Sequence, residues 1–197
     1  MYQIINQMPK LYFRYGTMNS SKTANLLMLA HNYKSQGKRI LLIKPGVDTR
    51  TSVDSISSRA GIGMCIDIVA TPTTNLFDLF QTTKLDCILV DECQFLSPQQ
   101  IEQLRDLSLM TPVMCYGLRS DYKTHLFPGS KRLMELADNI EEVKSICIEC
   151  CKKSIINAKF SLNDMGERII IREGSSEPDI GSEEKYQAMC WSCYSNN

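Results

Sequence analysis

An excess of charge of either sign is missing from this chain. Lysine plus arginine and aspartate plus glutamate both number 22, so the formal net charge is zero. Proteins that grip a nucleic-acid backbone carry a basic surface, and this balance argues against a nucleic-acid partner. It leaves room for a small anion held by a local basic cluster. Long apolar runs are missing too: no stretch approaches the roughly 18 residues that cross a bilayer, so no membrane partner is expected. The opening MYQIINQMPK has no signal-peptide core, and the expected setting is the reducing cytoplasm. Histidine is scarce, with His31 on a predicted helix and His125 isolated, and neither belongs to a ligand cluster. No internal repeat or low-complexity tract breaks the chain. Cysteine, in contrast, is abundant, with nine residues. Disulfides are rare in a reducing compartment, so some of these thiols should have other work.

The pattern is one of strands alternating with helices. Residues 1–10 read as a tail. Leu11-Tyr12-Phe13-Arg14-Tyr15 reads as a short strand. Helical spacing follows from Lys22 to Tyr33, and Gly37 stops it. Arg39–Ile43, Cys87–Val90 and Pro112–Tyr116 are near-continuous apolar runs of the kind that parallel strands buried on both faces require. A short strand is expected near Met64–Val69, and helices over Asn75–Thr83, from Ser97 to about Leu109, and over Gly129–Asn139. Residues 46–62 and Gly117–Phe127 read as loops. Such alternation implies right-handed βαβ units around a parallel sheet. After residue 144 cysteine pairs and Gly/Ser/Glu-rich segments replace it. The expected architecture is therefore an α/β domain, residues 11–144, with a parallel sheet flanked by helices, and a small lobe, residues 145–194.

Three constellations carry chemistry. The first is GTMNSSKT, residues 16–23. It matches the phosphate loop G-x-x-x-x-G-K-[ST] except that Ser21 stands where glycine is expected. Backbone N–H groups of such a loop face phosphate, with Lys22 reaching the terminal phosphates and Thr23 offering its hydroxyl to Mg²⁺. If position 21 needs positive φ, serine costs about 1–2 kcal/mol there. The alternative is a Ser/Thr-rich helix N-cap with no ligand. The second is Ile88-Leu89-Val90-Asp91-Glu92, an apolar strand ending in carboxylates. Asp91 suits a Walker-B ligand to Mg²⁺, and Glu92 could be a general base near a substrate hydroxyl. The third is Cys147-x-x-Cys150 with Cys190-x-x-Cys193, four thiols for a closed structural zinc site. Cys151 sits next to that set. Cys65, Cys87, Cys93 and Cys115 lie in or near apolar runs and read as core residues.

Together these residues resemble the zinc-containing thymidine kinases of the bacterial, phage and cytosolic-eukaryotic type. The carrying segments are GTMNSSKT, KPGVDTR (44–50), VDECQFL (90–96), CYGLRSDY (115–122), the paired cysteines and IGSEEKYQAMCWSCY (180–194). The resemblance implies a P-loop NTPase-like fold and transfer of the ATP γ-phosphate to the 5′-hydroxyl of thymidine or deoxyuridine. It implies that Gly16, Thr17, Met18, Asn19, Ser20, Ser21, Lys22 and Thr23 cradle the phosphates, with Asp48, Arg50, Asp91, Glu92, Cys93 and Gln94 beside the nucleotide. Thr23 and Asp91 would hold Mg²⁺, and Glu92 would accept the proton. Met18, Phe95, Leu118, Tyr122 and Tyr186 match positions around the nucleoside, and main-chain groups of Asp179, Ile180 and Gly181 would bind the base. The 39 residues between the cysteine pairs would form a lasso over the base, stapled by zinc. A homotetramer, dTTP as feedback inhibitor, and the host cytoplasm for a phage-encoded chain are further implications. The sequence departs from the family at Ser21, at Ser182, at Glu177-Pro178-Asp179 and at Asn157, where threonine is common. Two other readings stand beside this one: a zinc-ribbon ATPase acting on nucleic acid, and a degenerate nucleotide binder without turnover.

Overall fold

A computed structural model of the chain describes residues 10–46, 55–58, 61–79, 84–163, 165–174 and 185–196. Its centre is a six-stranded sheet. β1 (Leu11–Tyr15), β2 (Ile40–Pro45), β5 (Ile68–Ala70), β6 (Cys87–Val90), β7 (Val113–Gly117) and β8 (Asn139–Glu142) lie in the order β5-β2-β6-β7-β1-β8. Every neighbouring pair is parallel.

Burial on both faces explains the apolar runs. Ile88 and Val90 of β6 face one core with Leu11, Phe13, Val113 and Cys115. That core is covered by Ile101, Leu104 and Leu107 of helix α2 (Pro98–Leu107) and by Leu133 of α3 (Pro128–Leu136). Cys87 and Leu89 face the opposite core, where Leu26, Leu27 and Ala30 of α1 (Lys22–Ser35) pack. The strand period of two thus divides one short run between two helix layers. Helix α2 starts as its sequence directs. The Ser97 hydroxyl accepts the Gln100 N–H at 3.2 Å, the Gln100 side chain accepts the Ser97 N–H at 3.1 Å, and Pro98 opens the helix.

The C-terminal lobe has its own small core of Cys147, Ile156, Ala158, Met189, Cys190 and Tyr194. Its sheet places β9 (Ile156–Leu162) between antiparallel β10 (Arg168–Ile171) and β11 (Tyr186–Met189). Helix α4 (Trp191–Asn196) closes it.

Several expectations need correction. The helix expected over Gly129–Asn139 ends at Leu136, and Asn139 opens β8. The turn between them is held by Asp138, whose carboxylate accepts the Leu11 N–H at 2.8 Å and pairs with Arg105. Strand β8 escaped notice because it is a charged edge strand, with Glu141 and Glu142 keeping that edge from pairing further. The strand expected over Met64–Val69 is two strands. β4 (Gly63–Cys65) forms a hairpin with β3 (Ser55–Ser57) inside the segment read as a loop, and β5 joins the main sheet. Asp67 makes the break: its N–H and carboxylate take the Leu42 carbonyl and N–H, at 3.0 and 2.8 Å. The described part of the helix expected over Asn75–Thr83 is a single 3₁₀ turn, Leu76–Leu79, and residues 80–83 fall outside the described residues.

Candidate active site

The site lies at the carboxyl ends of β1, β6 and β7, where open α/β sheets bind ligands. From β1 the chain enters residues 16–23. Gly16 is required by space: a Cβ there would lie 2.4 Å from Ser20 Oγ and 2.5 Å from the Val143 carbonyl. Asn19 and Ser21 are both left-handed, each with φ 63°. Left-handed residues in such turns bring successive N–H groups to one side, the geometry of an anion nest. Ser21 therefore occupies the strained conformation that a glycine relieves, not ordinary helical space. It precedes α1 without capping it, since its side chain makes no cap hydrogen bond, and the first turn of α1 has no acidic residue. The N-terminal N–H groups are left for another acceptor, and with the helix dipole they favour an anion. The reading of this stretch as a ligand-free Ser/Thr cap loses its main support.

Lys22 is buried, and its ammonium donates to the Thr17 carbonyl at 2.7 Å and to Ser20 Oγ at 3.3 Å. The cation is thus held inside the loop it would serve. Thr23 Oγ1 donates to Asp91 at 3.1 and 3.3 Å. The two groups expected to share Mg²⁺ are therefore in contact, and a hydroxyl beside a carboxylate is a hard-oxygen set suited to that ion. Asp91 is 4% exposed. Burial, followed by repulsion from Glu92, pushes its carboxyl up to about 7 against the hydrogen bond from Thr23 and the charge of Lys22. A divalent cation reverses that balance by favouring the carboxylate.

Glu92 is a further left-handed residue, with φ 49° and ψ 38°, and begins the 3₁₀ turn Cys93–Phe95. A non-glycine residue in this region marks local strain of the kind functional sites tolerate. Its carboxylate accepts a hydrogen bond from Gln94 Nε2 at 2.5 Å. Cys93 is fully buried, and burial followed by the nearby Cys115 raises its thiol well above the ordinary range.

Two aromatic pairs include residues expected around the nucleoside. Phe95 meets Phe127 edge-on, ring centroids 5.7 Å apart. Tyr122 and Tyr186 meet edge-on at 6.4 Å, with the Lys159 ammonium 5.1 and 5.7 Å from their centroids. The Tyr122 hydroxyl donates to the Glu173 carbonyl at 3.4 Å, so the residues before segment 175–184 rest on the same tyrosine. Leu118 follows β7 on this side. Asp48, Arg50, Asp179, Ile180 and Gly181 lie outside the described residues.

The loop also rests on the C-terminal lobe, a feature absent from the sequence reading. Thr17, Ser145 and Ser154 form a ring of three hydroxyls. Ser145 and Ser154 are 2.6 Å apart, Thr17 and Ser154 are 3.1 Å apart, and Thr17 and Ser145 are also bonded. Asn157 accepts the Met18 N–H at 2.7 Å and donates to the Ser120 carbonyl at 3.4 Å. Arg119 donates to the Ile155 carbonyl at 3.3 Å.

The four paired cysteines converge. The sulfurs of Cys147, Cys150, Cys190 and Cys193 all lie within 4.8 Å of one another, and those of Cys150 and Cys190 are 3.6 Å apart. A tetrahedral ion with Zn–S bonds of about 2.3 Å needs sulfur separations of about 3.8 Å, so this set fits zinc. Burial opposes the Cys147 thiolate, but N–H donors of Cys190, Glu149 and Cys150 outweigh it and hold the thiol at about 6. Side-chain hydrogen bonds with Cys150 and Cys190 push Cys193 up to about 12. All four sulfurs would become thiolates together only around a cation, whose charge favours the ionised form. Cys151 is exposed, left-handed and outside the converging set. Cys87, Cys93 and Cys115 are buried as expected, whereas Cys65 is exposed, because it ends the short hairpin and not a core strand.

A sequence model of the family described as thymidine kinase matches residues 9–194. The chain belongs to the thymidine kinase family. It is accordingly an enzyme, a nucleoside kinase of the transferase class. It is 42% identical over 189 residues to a thymidine kinase of Haemophilus influenzae, covering 93% of this chain and 94% of the relative. Against a thymidine kinase of Lactiplantibacillus plantarum the figures are 40% over 190 residues, again 93% and 94%. A thymidine kinase of Listeria monocytogenes is 38% identical over 196 residues, 96% of this chain and 98% of the relative.

Proposed function

We propose that this family member transfers the γ-phosphate of ATP to the 5′-hydroxyl of thymidine, and of deoxyuridine, with Mg²⁺, and that Glu92 takes the hydroxyl proton. The observation that carries the reading is the Thr23–Asp91 contact beside Glu92, at the uncapped start of α1. In phosphoryl transfer the protein does little covalent chemistry; it positions the groups and neutralises charge. The N–H groups of residues 16–23 and the Lys22 ammonium bind phosphate oxygens. Mg²⁺, held by Thr23 and Asp91, supplies charge neutralisation on those oxygens when bound. Asp48 and Arg50 act near the phosphates and metal, and Cys93 borders the nucleotide. Glu92 accepts the 5′-hydroxyl proton as the phosphorus–oxygen bond forms. Met18, Phe95, Leu118, Tyr122 and Tyr186 hold the nucleoside, and Asp179, Ile180 and Gly181 bind its base through the main chain. Excluding water directs the phosphate to the nucleoside and not to solvent.

The zinc set is structural in this reading, because a closed Cys₄ site has no open position for substrate. It ties the residues on either side of the 175–184 segment to one small core. Turnover should be measured with MgATP and a panel of nucleosides, beside Glu92→Gln. Thymidine phosphorylation that falls 10²–10⁴-fold in the variant supports the reading. Absence of phosphorylation of any nucleoside defeats it.

A further inference from the structure

We propose that Gln94 is a positioning residue for Glu92: its buried amide orients the proton-accepting carboxylate and, through its other end, fixes the chain at Leu118. The proposal rests on Glu92 being the base. The Gln94 side chain is turned inward and is 2% exposed. Nε2 donates to Glu92 Oε2 at 2.5 Å, and Oε1 accepts the Leu118 N–H at 2.9 Å. The amide thus uses its donor end for the base and its acceptor end for the nucleoside wall.

The surroundings allow this placement and little else. A Cβ at Gly117 would lie 2.5 Å from Gln94 Oε1 and 2.7 Å from Cys93 Sγ. A Cβ at Gly129 would lie 2.8 Å from the Cys93 carbonyl and 3.0 Å from that of Gln94. Gly117 therefore leaves room for the Gln94 amide, and Gly129 lets α3 approach the backbone of the turn that carries it. The Leu118 carbonyl in turn accepts Ser130 Oγ at 2.6 Å, and Ser130 is fully buried. Leu118 is held from both sides, and Gln94 transmits that fixed position to Glu92. Glu92 sits on a left-handed turn, a conformation that persists where neighbouring groups hold it, and the Gln94 amide is one of those groups. A base misplaced by about 1 Å can lose on the order of 10²-fold in rate. One amide thus sets the distance between the base and the wall against which the nucleoside lies.

Gln94→Glu keeps the shape and the acceptor toward Leu118 but replaces the donor toward Glu92. Gln94→Met removes both. Single-turnover rates should be measured with saturating MgATP and varied thymidine, in the wild-type and Glu92→Gln backgrounds. Gln94→Glu is expected to lower the rate by about 10–100-fold while the KM for thymidine stays within about threefold. Gln94→Met is expected to lower the rate similarly and to raise that KM as well. In the Glu92→Gln background neither change should slow the reaction further, because residues acting as one unit are not additive. A merely structural role would cost the same factor in both backgrounds, and that result, or a wild-type rate for either variant, overturns the proposal. A wild-type rate for Glu92→Gln alone would show instead that the base assignment has failed, and the proposal with it. Should one Gln94 variant not fold, the other suffices for the comparison.

Discussion

Replacing Ser21 with glycine should make the protein more stable, although glycine ordinarily weakens a helix start. The serine sits at φ 63° and ψ 23°, a conformation that costs an L-residue about 1–2 kcal/mol. Its hydroxyl returns nothing to the helix, because it makes no cap hydrogen bond. Glycine removes the strain and adds about 0.5–1 kcal/mol of unfolded-state entropy. The net gain is about 0.5–1 kcal/mol, or about 1–4 °C in Tm for a chain of this length. Ser21→Ala keeps the Cβ and discards only the hydroxyl, so it should leave Tm within about 1 °C. The other end of α1 offers the reverse experiment. Gly37 has φ +70°, and a Cβ there meets nothing within 4 Å. Gly37→Ala should therefore lose, through backbone strain alone, about what Ser21→Gly gains. Calorimetry of the four proteins, zinc present and nucleotide absent, measures all of this. A lower Tm for Ser21→Gly, or equal values for the glycine and alanine variants at 21, would refute the strain argument. The same glycine variant should phosphorylate thymidine at least as fast as wild type. If wild type binds ATP and thymidine without turnover and Ser21→Gly does not restore it, the degenerate-binder reading is favoured.

Asp91 bears on stability in magnesium-free buffer. Its carboxyl titrates near 7 when folded against about 4 when unfolded, so the folded state holds the proton more tightly across that window. Stability should consequently fall as pH rises from about 4 to 7, by up to roughly 4 kcal/mol. Urea unfolding of Asp91→Asn should lack this slope and show greater stability at pH 8, with kinase activity lost. Zinc should be present at about one ion per chain. Cys147→Ser should lower that content and melt the C-terminal lobe at lower temperature, as read by metal analysis and thermal unfolding. Asn157→Ala leaves the Met18 N–H and the Ser120 carbonyl without their partner, at a cost of about 1–3 kcal/mol. Native-state hydrogen exchange should show the Met18 amide exchanging faster, while amides in β6 stay protected.

The central sheet was legible wherever burial on both faces forces an apolar run. β2, β6 and β7 announce themselves in this way, and β1 adds only Arg14 to the pattern, which is drawn off to Glu141 and Tyr116. Strand β8 obeys a different requirement. It lies at an edge with none of its residues fully buried, and its four residues, Asn139–Glu142, include one apolar side chain. Hydrophobic periodicity cannot find such a strand, because its pairing comes from the neighbour β1 and not from its own composition. Asp67 illustrates the same limit: an acidic residue inside an expected strand reads as a tolerated polar position, yet its side chain replaces a ladder bond and divides the strand.

The site divides along a similar line. Residue types that chemistry demands, such as Lys22 and Thr23 after a strand or Asp91 and Glu92 at the end of one, stand close in sequence, so a local pattern reveals them. What aims them is distant or conformational. Thr17 and Met18 lean on Ser145, Ser154 and Asn157, between 128 and 139 residues away, and small polar residues in a β-prone segment carry no signal that they face a phosphate loop. The backbone hand of Ser21 was equally hidden, since residue identity argued against the conformation it adopts. A local preference is overridden when the surrounding structure determines the turn more strongly than about 1–2 kcal/mol can resist. Here the turn is fixed by the close approach of Gly16 to Ser20 and Val143 and by the bonds of Thr17 and Met18 to the lobe. The C-terminal lobe thus supports the loop of residues 16–23, and loosening it at Asn157 should relax the strain at Ser21. The stabilisation gained by Ser21→Gly should accordingly shrink in an Asn157→Ala background, a non-additivity that a double-mutant cycle can read.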